Sequence, residues 1–380
     1  PPSLRPLSEH PPAPCSTTAG MALLRRANWR AIVSSPLAAP VTGQARLSRM
    51  FSATPQEAVE VEPDWPFDVD AGPLFCEKEN RCFLVDGKRC SQFQQRSRTK
   101  GLLQDIRDSS GSWGFLLVRN IVFEPNEFTS LHRRAEAIAE MPQEAKQLLH
   151  IEKNPLRRGW APVGHAAWQQ GGAPSQYESF EVARGEGGDA LGPWPSAELK
   201  DAEGFKEEVG AAFERLERAA LQLSTAIASA LGVSPEAFNS QISNASPSSL
   251  RFLSFPTGPP SPPSEAATSP ALFTLLTQSR PTIQILDEEG QWNVPLCGPD
   301  RTVLLFGEAL AELSKNHIPA SKYRFATDGA EPTHIVEFSV HLNPDVKMEP
   351  LAEFKEEGHA AAGPPKTQLE LLQQRIQAAC

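Results

Sequence analysis

The chain has 380 residues and a formal net charge of -10, and 40% of its residues are hydrophobic. This composition is ordinary for a globular protein, and the length suits one large domain or two modest ones. The acidic balance argues against nucleic acid as a partner, because phosphate binding needs a basic surface. No apolar run reaches the roughly 20 residues that a membrane-spanning helix needs.

The first 53 residues are interpreted as an upstream segment followed by an organelle transit peptide. From Met21 onward the sequence is rich in Arg and Ser, and no acidic residue occurs between Glu9 and Glu57. That composition is typical of a mitochondrial presequence, with a plastid as the alternative destination. A disordered tail without a targeting role is the other interpretation. Whether residues 1–20, which precede the first Met, belong to the protein stays open.

Three cysteines follow in the next part of the chain. Residues 54–82 read as an acidic, Pro-containing linker, and Cys76, Cys82 and Cys90 are spaced C-x5-C-x7-C. A structural zinc site usually shows tighter Cys pairs and a fourth ligand nearby. We therefore expect reduced thiols and no metal at these positions.

Residues 83–245 are predicted to form an N-terminal α/β part. The apolar run WGFLLV at 113–118 reads as a buried strand. Residues 203–231 carry apolar side chains at steps of three and four, which predicts one long helix that ends at Gly232. Such a helix is about 40 Å long and braces a whole domain.

After residue 245 the pattern changes to short strands. A series of strands that follows a helical half favours a β-sandwich or jelly roll braced by helices, which we assign to residues 246–350. The tail, residues 351–380, is predicted to end in a short amphipathic helix that packs on its own domain. The predicted strands are 249–255, 271–277, 282–286, 302–306 and 334–342.

Eight short segments carry a family resemblance, in order, over about residues 110–377. The chain resembles the isopenicillin-N-synthase-like branch of the Fe(II)/2-oxoglutarate oxygenases. The resemblance implies an α+β fold, a double-stranded β-helix (a jelly-roll, cupin-like barrel) with an N-terminal α/β part and a long bracing helix. The segments are WGFLLVRN (113–120), RRGWAPVG (157–164), YESFEV (177–182), PWP (193–195), SLRFLSFP (249–256), QWNVPL (291–296), LLFGEALAELSKNH (304–317) and HLNP (341–344).

The resemblance also locates the positions at which that family binds iron, through two His and one carboxylate. The His-x-Asp pair falls on Ala267 and Ser269, and the third ligand, a His, falls on Tyr323. Alanine has no lone pair to offer and serine has only a neutral hydroxyl. A single tyrosine does not hold ferrous iron firmly. The resemblance therefore implies former metal-ligand positions that have lost their ligands, and no metal is predicted.

The family's cosubstrate positions have changed as well. The tyrosine that contacts 2-oxoglutarate falls on Ser254, and the Arg-x-Ser pair that binds its distal carboxylate falls on Ile335 and Glu337. A carboxylate at position 337 repels a dicarboxylate, and the bidentate Arg is missing. Although the family uses Fe(II) and 2-oxoglutarate, we predict no cofactor for this chain.

Polar residues remain available for the old pocket. On a strand that exposes Ile335 to the pocket, Glu337 and His341 face the same way, and Tyr323 is the third candidate. Strand positions four apart lie about 13 Å from each other, too far to share one ion directly. A hydrogen-bonded polar plug is favoured over a new metal centre, since a buried Glu must find partners or stay protonated.

These observations favour a catalytically degenerate member of the oxygenase fold that acts as an organellar binding or scaffold protein. The partner is a protein or a small apolar ligand, and the pocket is either open or filled by side chains. We predict no catalytic residue. The alternative is an active oxidoreductase, a dioxygenase of the same family, with a non-standard metal site.

Overall fold

The computed structural model describes residues 68–71, 100–109, 114–119, 121, 125–154, 158–165, 174–184, 191–195, 204–242, 246–260, 262–295, 298, 301–355 and 365–378. They lie within one unit, Asp64–Cys380. The predicted transit peptide, most of the predicted linker and the cysteines Cys76, Cys82 and Cys90 fall outside the described residues. None of the described helices is long and apolar enough to cross a membrane.

The first half of the chain alternates strands with helices. In order it contains β1 (Asp68–Asp70), α1 (residues 100–109), β2 (Phe115–Arg119), α2 (Pro125–Ala139), α3 (Gln143–Leu148), a 3-10 turn (Ile151–Lys153), β3 (Gly159–Ala161), β4 (Glu178–Arg184), β5 (Leu191–Gly192) and α4 (Phe205–Leu231).

The second half consists mainly of strands, and each of the five predicted strands is present. In order it contains α5 (Glu236–Asn239), β6 (Ser249–Phe255), β7 (Phe273–Gln278), β8 (Ile283–Leu286), β9 (Trp292–Asn293), β10 (Arg301–Phe306), α6 (Glu308–Leu313), β11 (Lys322–Phe325), β12 (Thr333–Val340), a 3-10 turn (Ala352–Phe354) and α7 (Gln368–Ala378).

Helix α4 confirms the predicted bracing helix. Its apolar positions from Phe205 to Ile227 are buried at steps of three and four. Gly232 ends the helix in the left-handed conformation, with φ 76°, and the N–H of Val233 donates to the Ala228 carbonyl at 3.0 Å. Glycine suits this position because it has no Cβ to clash at positive φ.

Two sheets form the barrel. The larger sheet has the order β1-β2-β10-β7-β12-β6-β4-β3, with β5 paired to β4, and the smaller has the order β11-β8-β9. Strands β2, β3 and β4 come from the predicted N-terminal part and share the larger sheet with the predicted barrel strands. The architecture is α+β with jelly-roll sheets, as predicted.

Successive side chains of each strand face opposite sides of the sheet, so the apolar residues form two layers. The outer layer packs against α2 and α4 and includes Phe252, Leu275 and Phe338. The inner cluster lies between the two sheets, where both contribute side chains. It consists of Phe115, Leu117, Tyr177, Leu253, Phe255, Leu276, Ile283, Ile285, Val303, Leu305, Phe325 and Ile335, with Tyr323 packed against it.

Close backbone contact fixes the link between β10 and α6. The N–H of Gly307 donates to the Leu272 carbonyl at 3.0 Å. A Cβ built on Gly307 would lie 1.8 Å from the Ala271 carbonyl oxygen. The backbone of this link therefore approaches the start of β7 more closely than any side chain allows.

Candidate functional site

The structure brings together the three positions that the resemblance aligns with iron ligands. Ala267 and Tyr323 form an isolated antiparallel bridge, with N–H to carbonyl distances of 2.8 and 2.9 Å. Two residues along, the Ser269 Oγ lies 2.9 Å from the Thr274 Oγ1 and accepts from the Ala271 N–H at 3.3 Å. The main chain keeps Ala267 and Tyr323 side by side, and the Ser269 hydroxyl is engaged by Thr274.

Tyr323 belongs to a group of four rings, which we call the aromatic plug: Tyr177, Phe255, Tyr323 and Phe325. Ring centroids lie 5.1 Å apart for Tyr177 and Phe255, 5.4 Å for Phe255 and Phe325 and 5.7 Å for Tyr323 and Phe325. Burial, reinforced by the charge of Glu337, raises the pKa of the Tyr323 phenol. The phenol therefore stays protonated and is a poor metal ligand.

Strand β12 presents two of the former cosubstrate positions to the interior. Ile335 is fully buried in the inner cluster, while Val336 and Phe338 belong to the outer layer. Glu337 is also buried. An apolar side chain thus lies at the position that the resemblance aligns with the family's carboxylate-binding Arg.

Ser254 does not line the interior. Its Oγ lies 3.3 Å from the Ala135 carbonyl of α2 and 3.1 Å from the His334 Nδ1. Leu253 and Phe255, its neighbours on β6, belong to the inner cluster. The resemblance places Ser254 at a cosubstrate position, which would have to face the interior. Successive residues of a strand face opposite sides, so an alignment that is one residue off moves the side chain to the other face.

Glu337 is paired with Arg251, a residue that the sequence did not single out. The Arg251 Nε donates to the Glu337 Oε1 at 2.7 Å, and the Nη2 lies 2.5 Å from the same oxygen. Burial raises the pKa of Glu337, and the charge and hydrogen bond of Arg251 oppose that rise.

Glu181 and Arg158 extend this pair into a row of four charges, which we call the charge row. Glu337, Arg251 and Glu181 are register partners across β12, β6 and β4, and Arg158 bonds to Glu181. The charges alternate in sign along the row. Of the three residues predicted for a polar plug, Glu337 is thus held in ion pairs that span adjacent strands.

His341 does not join Glu337. Its N–H donates to the Ser248 Oγ at 3.0 Å, and its carbonyl accepts from the Ser246 Oγ at 2.5 Å. These side-chain contacts explain why β12 ends at Val340 and not at 342. Among the described residues, no group of three or more His, Cys, Asp or Glu is placed to hold a metal ion.

Two histidines with lowered pKa values, the buried His341 and the partly buried His132, are expected to make stability depend on pH. Burial, assisted by Arg158, lowers the pKa of His341 from 6.5 to about 3. In α2, burial is also the main cause that lowers the pKa of His132 from 6.5 to about 4. Both rings are neutral in the folded protein. The stability that they contribute is therefore fully present above the unfolded-state pKa of histidine, and it declines as the pH falls below that pKa.

We therefore expect the free energy of unfolding to fall by about 1.4 kcal/mol per pH unit for each such histidine below about pH 6.5. Urea denaturation at a series of pH values between about 5 and 7.5 measures this slope. The variant His341→Gln should give a shallower slope than the wild type. Equal slopes would show that His341 does not contribute.

Comparisons with known proteins agree with this architecture. Residues 85–197 match a family model described as non-haem dioxygenase in morphine synthesis, N-terminal. A 2-oxoglutarate-Fe(II) type oxidoreductase from Aspergillus fumigatus is 22% identical over 296 residues, which cover 72% of this chain and 86% of the relative.

Solved structures share the fold at low identity. A full-length Neurospora crassa protein, crystallised in complex with alpha-KG and thymine, has a TM-score of 0.65 at 19% identity and covers 82% of this chain and 96% of its own. A 2OG-Fe(II) oxygenase family protein from Caulobacter crescentus has a TM-score of 0.61 at 22% identity and covers 76% and 97%.

JOX2, in complex with 2OG, Fe and JA, has a TM-score of 0.61 at 17% identity and covers 75% of this chain and 83% of its own. Identities this low show the fold alone. Together with the family-model match over residues 85–197 and the ordered motifs, they show that this chain has the fold of the 2-oxoglutarate/Fe(II) oxygenases.

Proposed function

We propose that this protein is a catalytically degenerate member of its family and acts as a binding or scaffold protein. The observation that carries the proposal is the donor set at the aligned iron positions. Ala267 offers no donor, the Ser269 hydroxyl is engaged with Thr274, and the partly buried Tyr323 has a phenol with a raised pKa. Ferrous iron needs His nitrogens and a carboxylate at such a site. The residues present do not fit it.

The cosubstrate side of the barrel supports the same conclusion. A dicarboxylate placed along β12 would meet Ile335, which cannot pair with it, and Glu337, which repels it. Arg251 is already bonded to Glu337. Burying a further carboxylate without a cationic partner is costly, so we propose that 2-oxoglutarate is not a cofactor of this protein.

The packing of the interior favours a protein partner over a small ligand. The aromatic plug and the rest of the inner cluster, which includes Leu253 and Ile335, contact one another between the two sheets. A partner would then use the outer surface. The Arg-rich segment that follows Met21 supports a mitochondrial location as part of this proposal.

The competing proposal is an active dioxygenase with a non-standard metal site, and the oxidoreductase from Aspergillus fumigatus is the relative that favours it. Such a site would need a new ligand set. Within the described ranges, Glu337 is held by Arg251, and the charge of Arg158 disfavours a further cation at His341, so neither supports it.

Metal analysis with a turnover assay tests the proposal. We expect protein purified without oxygen and supplied with Fe(II) and 2-oxoglutarate to retain sub-stoichiometric iron and to form no succinate. The triple variant Ala267→His/Ser269→Asp/Tyr323→His is the matched control, and its Co(II) absorption spectrum reports whether the restored ligands bind a metal. Stoichiometric iron together with succinate formation in the wild type would overturn the proposal.

A further inference from the structure

The C-terminal helix α7 is anchored at its start by local hydrogen bonds. The Thr367 N–H donates to the Glu370 Oε2 at 2.8 Å, and the Glu370 N–H donates to the Thr367 Oγ1 at 3.2 Å. This reciprocal arrangement is a capping box. The Gln368 N–H also donates to the Val346 carbonyl at 2.9 Å. The first turn of the helix is therefore fixed in place.

One face of α7 lies on the segment that leads into β7. Gln368, Leu372 and Arg375 follow one another at steps of four and three, so they share a face. Gln368 and Leu372 are buried, and the Gln368 Nε2 donates to the Pro270 carbonyl at 3.3 Å. The helix thus covers the residues on either side of Ser269.

Arg375, in the last part of α7, makes further contacts with the same segment. Its Nη1 donates to the Thr268 carbonyl at 3.1 Å, and its Nη2 forms an ion pair with Glu308. The N–H of Glu308 in turn donates to the Ser269 carbonyl at 2.8 Å. One guanidinium therefore joins α7, the segment at 267–270 and the first residue of α6.

We infer that α7 is a releasable strap that holds the mouth of the barrel closed, with the Arg375–Glu308 ion pair as its fastening. The mouth is the segment at 267–270 together with Tyr323, the residue that pairs with Ala267. Release of α7 would expose this edge while the sheets stay folded.

The contacts of α7 make its release easier than unfolding of the barrel. Leu372 is the buried apolar side chain of its described part, and Leu369 is 44% exposed. A helix of 11 residues is marginal in water without tertiary contacts. Among the described side chains of α7, a buried leucine, the hydrogen bonds of Gln368 and a partly exposed ion pair hold the helix, and these contacts stabilise far less than the barrel layers do.

Hydrogen exchange of the full-length protein tests the strap. In the variant Arg375→Gln, we expect exchange in α7 and in residues 265–272 to rise about tenfold, because a charge-assisted contact is lost. Exchange in β6 and β12 should be unchanged. Gln373→Ala, an exposed position on the same helix, is the matched control and should behave like the wild type.

Salt provides a second measurement. Raising the ionic strength to about 1 M screens a partly exposed ion pair, so exchange at 265–272 should rise in the wild type but not further in Arg375→Gln. Two results would overturn the inference: faster exchange in α7 without any change at 265–272, or a parallel rise in β6 and β12. The strap inference depends on no metal or turnover measurement, so its failure and the failure of the proposed function are distinguishable.

Discussion

Replacing Gly307 by Ala is expected to reduce the free energy of unfolding by roughly 3 kcal/mol or more. The added Cβ would lie 1.8 Å from the Ala271 carbonyl oxygen and 2.6 Å from its carbon, both backbone atoms. The two segments must separate, which breaks the hydrogen bond from the Gly307 N–H to the Leu272 carbonyl. Urea denaturation followed by circular dichroism gives the free energy.

Gly210 provides the matched control for this substitution. It lies inside α4, and a Cβ built on it meets nothing within 4 Å. Because Ala is favoured over Gly in a helix interior by up to about 1 kcal/mol, Gly210→Ala should be neutral or stabilising. If both variants reduce the free energy of unfolding by the same amount, the close backbone approach at Gly307 is not the cause of the destabilisation.

Replacing Arg251 by Met is expected to cost about 3–5 kcal/mol, because it leaves Glu337 buried without its cationic partner. Glu181, the register partner of Arg251 on the other side, adds a second negative charge nearby. The loss should shrink at low pH, since the pKa of Glu337 is already raised by burial and a protonated carboxyl tolerates the apolar surroundings.

A double-mutant cycle separates the ion pair from the packing of the Arg side chain. Glu337→Gln in the Arg251→Met background removes the stranded charge, and we expect it to recover about half of the loss or more. Denaturation of the four proteins under one set of conditions measures the coupling. Additive losses would mean that the two side chains do not stabilise each other.

Much of the fold could be predicted because its elements carry local patterns. Strand β6 occupies Ser249–Phe255 as predicted, and α4 has the apolar steps and the terminal glycine that its sequence shows. The short strands could not be predicted. Strand β9 has two residues, and β1 has three that pair in parallel with β2. These strands exist only because a partner strand lies beside them.

The family resemblance proposed positions for the candidate site, but the sequence did not indicate the partners of its charged residues. Ala267 and Tyr323 were placed by the order of motifs, and the structure pairs their main chains. The charged partner of Glu337 lies 86 residues away, and sequence spacing does not indicate such a contact. One signal was available in SLRFLSF: a charge at Arg251 interrupts an apolar strand, and a buried charge requires a partner.

The charge row has a consequence for the fidelity of strand assembly. Sliding β6 past β12 by one residue would bring Arg251 opposite Val336 or Phe338 and rotate its guanidinium toward the apolar layer beneath the helices. Slippage of β4 would do the same to Glu181. Each misaligned register would bury a charge without its partner, so the electrostatics favour a single alignment of β12, β6 and β4. The charge row therefore specifies the register in which these strands pair.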